Sequence, residues 1–192
     1  AHIVGHDFGG AVAWGLGMFA SDRIDRMVVM ASPHPMRLHE AAAGDPEQIQ
    51  RSFYVWLMHA GASGERLLAA DDFRLLAAWA FASRIPAELV DAYREEWARP
   101  GAFRAMAEWY RANYPPDLFN PDVEFDLPPV RVPVRYLHPE RDPAFVSGVS
   151  TGSGKFVDAE FDEGVVAGTS HWLVHEEPEV VAGLIDGWLS GG

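Results

Sequence analysis

The sequence predicts an α/β fold: a partial parallel sheet with helices on both faces and an inserted all-helical cap. Three observations carry that expectation. An apolar strand, a Gly-rich turn, a helix and a second apolar strand follow one another within residues 1–31. Residues 36–121 then show helical patterning and no strand-like run. Beyond them strand patterning returns and closes on an amphipathic helix.

Taken in order, Ala1-His2-Ile3-Val4-Gly5 reads as a buried strand. Gly9-Gly10 followed by Ala11-Val12-Ala13-Trp14 reads as a tight turn into a helix that ends near Phe19. Met27-Val28-Val29-Met30-Ala31 is apolar throughout, as a parallel strand covered on both faces must be. Ser32-Pro33-His34-Pro35 closes it. Within the insertion, helices are expected over 46–60, 65–82, 86 to the Pro100-Gly101 break, and 102–113 ahead of Pro115-Pro116. Pro86 suits a first helical position, where its missing N–H has no partner to lose. A strand resumes over 130–137 after the Pro-rich linker 126–129, the Gly/Ser-rich segment 147–154 is expected to be mobile, and 160–166 alternates like a last strand. In 178–189, Val180, Val181, Leu184, Ile185 and Trp188 share one helical face. The expected division is an incomplete α/β core of residues 1–35 and 122–192, with 36–121 as a helical cap.

Composition narrows the partners. The 192 residues carry a net charge of −13, which disfavours nucleic acid and anionic membrane surfaces. At 48% apolar and 12% aromatic the chain is globular in composition. Without cysteine there can be no disulfide, thiolate metal site or thiol nucleophile. The longest uncharged apolar stretch, 75–82, is too short to cross a bilayer. A cytoplasmic, water-soluble protein is expected.

Gly5-His6-Asp7-Phe8-Gly9-Gly10 lies between the first strand and its helix, a G-x-D-x-G whose glycines permit a sharp turn and close backbone approach. Asp7 is thereby presented at the strand's C-terminal end; read locally, it could equally be a helix N-cap. Leu137-His138-Pro139-Glu140-Arg141-Asp142-Pro143 follows the third strand, and Gly168-Thr169-Ser170-His171-Trp172 the last. The order is elbow carboxylate, acid, histidine, each at the edge where open parallel sheets place their active sites. Glu140 competes with Asp142 as the acid. His171 with His175 suggests a metal pair, but no third ligand lies at a supporting spacing.

These motifs together resemble the α/β-hydrolase superfamily, and within it the soluble-type epoxide hydrolases, nearly end to end. The elbow is similar to the family's Gly-His-Asp-Trp-Gly-Gly with Phe8 in place of Trp. Met106-Ala107-Glu108-Trp109-Tyr110-Arg111 and Ser52-Phe53-Tyr54 resemble the cap segments that carry the family's two epoxide-polarising tyrosines. Gly168–Trp172 resembles the loop of the catalytic histidine, and Glu140-Arg141-Asp142-Pro143 that of its acid, although Pro139 stands where relatives usually have Gly. The resemblance implies strands and an oxyanion loop on the N-terminal side of residue 1. The expectation is therefore a C-terminal portion of a longer enzyme, with little turnover by itself and a bare strand edge open to association, a homodimer included.

A carboxylate at the elbow narrows the chemistry. Attack on an acyl carbon would give an anhydride, whereas attack on an electrophilic sp3 carbon gives an alkyl ester that water can cleave. A halide leaving group wants N–H donors, which Phe8 lacks; an epoxide oxygen wants a proton, which a phenol supplies. Phe103, Met106 and Tyr110 fall at i, i+3, i+7, which places Tyr110 on an apolar helix face. The resemblance thus implies Asp7 as nucleophile, Tyr110 and Tyr54 as donors to the epoxide, and His171 oriented by Asp142 as the base that activates water. The Phe8 backbone N–H would hold the oxyanion, with Trp109 and His6 near the substrate. Tyr93, Tyr114 and Tyr136 read as structural. No cofactor or metal is required; the partners are a small apolar epoxide and water. A haloalkane or haloacid dehalogenase and a non-catalytic ligand-binding protein of the same fold are the alternatives.

Overall fold

The computed structural model describes residues 1–81 and 84–191. Four strands, β1 (Ile3–His6), β2 (Met27–Met30), β3 (Val134–Pro139) and β4 (Phe161–Val166), form one sheet in chain order, every pair parallel. All four C-terminal ends therefore meet one edge. Helix α1 (Phe8–Phe19) follows β1; α2 (Pro35–Gly44), α3 (Pro46–Arg51), α4 (Phe53–His59), α5 (Ala62–Phe81), α6 (Ala87–Ala98) and α7 (Ala102–Asn113) lie between β2 and β3. Helices α8 (Leu173–Glu176) and α9 (Pro178–Leu189) complete the chain. Among the described residues no helix is long and apolar enough to cross a membrane.

Every residue of β2 is buried, and successive side chains serve opposite faces. Met27 and Val29 join Ala13, Trp14, Val134 and Tyr136 under α1. Val28 and Met30 join Leu137, Val166, Val181 and Trp188 under α9. The turn into α1 is tight: a Cβ on Gly5 would stand 2.3 Å from the Gly9 carbonyl oxygen, and one on Gly10 would stand 2.6 Å from the Ser32 Cβ. Glycine is required at both positions by close approach.

Several boundaries differ from the sequence pattern, each for a local reason. Helix α2 was not legible in it. The helix expected over 46–60 breaks at Ser52, whose hydroxyl donates back to the Gln48 carbonyl at 2.9 Å and competes with the helical ladder. Helix α5 departs from helical dihedrals at Ala70–Phe73, which turns Phe73 inward against Phe103. The expected end of that helix at Ala82 lies outside the described residues. Strand β3 starts at Val134 because Pro133 has no N–H to offer the ladder; Val130 makes only an isolated bridge to Val157. The segment 147–154, expected to be mobile, is packed: Val149, Ser150 and Ser153 are buried, and the Ser153 hydroxyl accepts the His34 backbone N–H at 3.1 Å. In α9, Val181 and Trp188 are buried as expected, but Val180 points to solvent.

Candidate active site

The three loops singled out in the sequence converge at the sheet's C-terminal edge. Asp7 occupies the junction of β1 and α1 with φ 53° and ψ −117°, a backbone conformation that costs energy. Its carbonyl accepts the Ala11 N–H, which starts α1, but its carboxylate makes no capping bond. Asp7 thus stands at the N-cap position of α1 without capping it through its side chain. The carboxylate Oδ1 lies 3.1 Å from His171 Nε2, and His171 Nδ1 lies 3.0 Å from Asp142 Oδ2. Asp142 Oδ1 accepts the Ala144 N–H at 2.8 Å, which fixes the carboxylate plane.

Two carboxylates around one buried imidazole set its charge. Burial by itself would lower the His171 pKa, but the charges and hydrogen bonds of Asp142 and Asp7 outweigh it and push the group up to about 10. Burial would raise Asp7, yet the His171 hydrogen bond and charge, with His6 and the Phe8 backbone N–H, hold it below the usual carboxylate range. At neutral pH Asp7 is a carboxylate and His171 an imidazolium. His171 binds its proton more tightly folded than at its unperturbed value of 6.5, so its contribution to stability is complete below pH 6.5 and fades as pH rises toward about 10. Asp7 works in the other sense: its contribution is present above pH 3.8 and is lost as pH falls. The thermal midpoint is therefore expected to decline from pH 6.5 to pH 10, and to decline less in His171→Gln. Calorimetry across that range checks it; equal slopes in both proteins would count against the charge state.

In front of Asp7 lies a cavity of about 240 Å³ whose lining is mostly apolar and aromatic. Phe8, Tyr54, Tyr110 and His171 line it with Asp7, while Met58, Leu76, Trp79, Tyr93, Trp97 and Met106 form its far walls. Tyr54 comes from α4 and Tyr110 from α7, and their rings meet edge-on at 5.5 Å. Burial raises both phenols well above their ordinary value of 10.0, so both keep their protons and have them available to donate.

Trp109 and His6 are not among the residues lining this cavity. Trp109 packs against Phe8 at a tilt with ring centroids 4.9 Å apart and borders a neighbouring cavity with Tyr114. His6 donates from Nε2 to the His171 carbonyl at 2.8 Å, and burial, with the charge on His171, lowers its pKa. Glu140, the rival acid, instead accepts the Gly168 N–H at 2.9 Å. The sequence reading missed the residues that hold the Asp142 loop. Buried Gln48 donates to the Ala144 carbonyl at 2.8 Å and accepts the Val146 N–H at 3.0 Å. Arg51 donates to the Asp142 and Phe145 carbonyls at 2.6 and 2.7 Å. Both side chains come from α3, 91 to 98 residues away in the chain, and no local pattern marks them.

The model of the alpha/beta hydrolase family matches residues 1–184. AB hydrolase superfamily protein YfhM of Bacillus subtilis is 30% identical over 193 residues, an overlap spanning 96% of this chain and 64% of that protein. Epoxide hydrolase 3 of Xenopus tropicalis is 27% identical over 196 residues, spanning 97% of this chain and 52% of that protein. The chain thus spans about half to two thirds of the length of these curated relatives. In fold it is similar to the crystal structure of a Bacillus megaterium epoxide hydrolase in complex with an inhibitor, with a TM-score of 0.80 at 21% identity over 97% of this chain and 68% of that one.

Proposed function

The chain belongs to the alpha/beta hydrolase family, and within it we propose an epoxide hydrolase that works through an alkyl ester on Asp7. The observation that carries the reading is the Asp7 carboxylate sharing one apolar cavity with two protonated phenols, Tyr54 and Tyr110. In this reading residues 36–121 act as a cap over the core formed by 1–35 and 122–192. The substrate is a small apolar epoxide, suited to the aromatic lining.

The steps balance with the chain's own groups and water. An Asp7 carboxylate oxygen attacks one epoxide carbon, the carbon–oxygen bond of the ring breaks, and Tyr110, assisted by Tyr54, gives a proton to the departing oxygen. Alkylation removes the negative charge from Asp7. One of the two charges that held His171 protonated is then gone, so the imidazolium releases its proton, which restores the phenol through solvent. Neutral His171, oriented by Asp142, takes a proton from water as that water attacks the ester carbonyl. The Phe8 backbone N–H supports the oxyanion; as it collapses, His171 returns its proton to the departing alkoxide oxygen, which frees a vicinal diol, and the Asp7 carboxyl then gives its proton to His171, restoring the starting charges. No cofactor enters this scheme.

The phenols separate this reading from halide displacement. With the protein in excess over styrene oxide, Tyr110→Phe is expected to slow diol formation by about 10²-fold, the usual range for loss of a general acid. Single-turnover chromatography of the diol measures it. Release of halide from a haloalkane at a rate exceeding diol formation, and untouched by Tyr110→Phe, would favour the dehalogenase instead.

A further inference from the structure

The cavity wall built by α6 is unlike the others. Helix α6 runs for 12 residues, Ala87–Ala98, without one buried residue. Leu89, Val90, Tyr93 and Trp97 are only partly buried as they pack on Phe81 and Ile85. Its N-terminus has no side-chain cap, and beyond its C-terminus the chain passes through Pro100 to Gly101 at φ 81°. Among the described residues, its polar link to the loop that carries His171 is one bond, Tyr93 Oη to His175 Nε2 at 3.0 Å.

That bond ends on α8, which directly follows the loop that carries the imidazole. His175 stacks on Trp172 with centroids 5.9 Å apart, and Trp172 meets His171 edge-on at 5.6 Å and Tyr93 at 5.2 Å. The other side of the loop is held from the end of α5, where Trp172 Nε1 donates to the Ala80 carbonyl at 2.7 Å and Arg84 pairs with Glu176. Glu176 in turn accepts the Ser170 N–H at 2.7 Å. Tyr93 therefore lines the cavity and touches, through two aromatic contacts, the residue that faces Asp7.

We propose that α6 is the movable wall of the cavity and that the Tyr93–His175 hydrogen bond is its latch, coupling admission of an aryl-bearing ligand to the seating of His171. Tyr93 and His175 are positioning residues in this arrangement. With the bond made, Tyr93, Trp172 and His175 close into one aromatic cluster and His171 is held against Asp142. With it broken, α6 swings on the Pro100-Gly101 segment and the cavity opens beside Trp97. The ligand class rests on the reading of the cavity as an epoxide site; the latch itself does not.

Hydrogen exchange and proton NMR on the whole chain test the latch without ligand. Loss of one hydrogen bond corresponds to about a fivefold change in an opening equilibrium. In Tyr93→Phe and in His175→Leu, the α6 amides and the low-field His171 Nδ1 proton are expected to exchange about fivefold faster, with α7 unchanged. His175→Gln, whose side-chain oxygen can still accept from Tyr93, is expected to restore both. Unchanged α6 exchange overturns the latch, and faster α6 exchange with an unchanged His171 proton overturns the coupling. A third arm follows stopped-flow tryptophan quenching by 1-phenylethane-1,2-diol, which is expected to bind and leave about fivefold faster in Tyr93→Phe. Failure of the diol to bind any variant refutes the ligand class, and leaves the exchange results to decide the latch.

Discussion

Asp7→Asn is expected to lower styrene oxide hydrolysis by at least about 10⁴-fold, the scale on which a covalent nucleophile is missed. The substitution keeps the shape of the side chain at the strained junction and removes only the charge and the attacking oxygen. Peptide mass spectrometry after one turnover in oxygen-18 water supplies the second half of the result. The wild-type peptide around Asp7 is expected to gain the heavy isotope, because water attacks the ester carbonyl carbon and leaves one oxygen behind. An unlabelled peptide alongside rapid diol formation would mean direct attack of water on the epoxide, with Asp7 as its base. Asp7→Asn also removes one of the two charges beside His171, so its imidazole is expected to titrate below the wild-type value of about 10.

His171→Gln is expected to divide the reaction at its middle. The ester should form, because Tyr54 and Tyr110 are untouched, but water lacks its base, and diol release should fall by about 10³-fold or more. The measurable product is a stable adduct of one epoxide on the Asp7 peptide, seen by mass spectrometry with protein in excess. Ester formation is itself expected to slow, since the imidazolium 3.1 Å from Asp7 Oδ1 helps to orient the carboxylate. Diol release at the wild-type rate would remove His171 from the role of base. Absence of any adduct while Asp7→Asn is also inactive would place His171 in the first step instead.

The positions of Asp7, Asp142 and His171 were legible because each follows a strand, and parallel strands bring their C-terminal ends to one edge however long the chain between them. Tyr110 was legible through the spacing of Phe103, Met106 and Tyr110 on α7. Tyr54 was a weaker case, since α4 is apolar almost all round and the sequence offered no face to prefer. The choice between Asp142 and Glu140 could not be read locally. Both stand in one short loop, and they separate only when Asp142 turns inward to His171 while Glu140 turns outward to the Gly168 N–H. Trp109 was expected near the substrate from the resemblance of its cap segment. Consecutive residues on a helix point about 100° apart, which puts Trp109 behind Phe8 and outside the cavity.

Local chemistry along the chain was enough to establish a parallel α/β core with a helical insertion, a carboxylate on a glycine turn, and the order of its partners. Those features depend on turn glycines, on unbroken apolar runs and on helical spacing, all of which act within a few residues. Contacts such as Arg51 and Gln48 on the Asp142 loop, Tyr93 against His175, and the 164-residue span from Asp7 to His171 depend instead on how helices and loops stack around the sheet. Packing of that kind is a property of the assembled layers, because a side chain's partner across the molecule is chosen by shape and burial and leaves no periodic trace in the sequence around it.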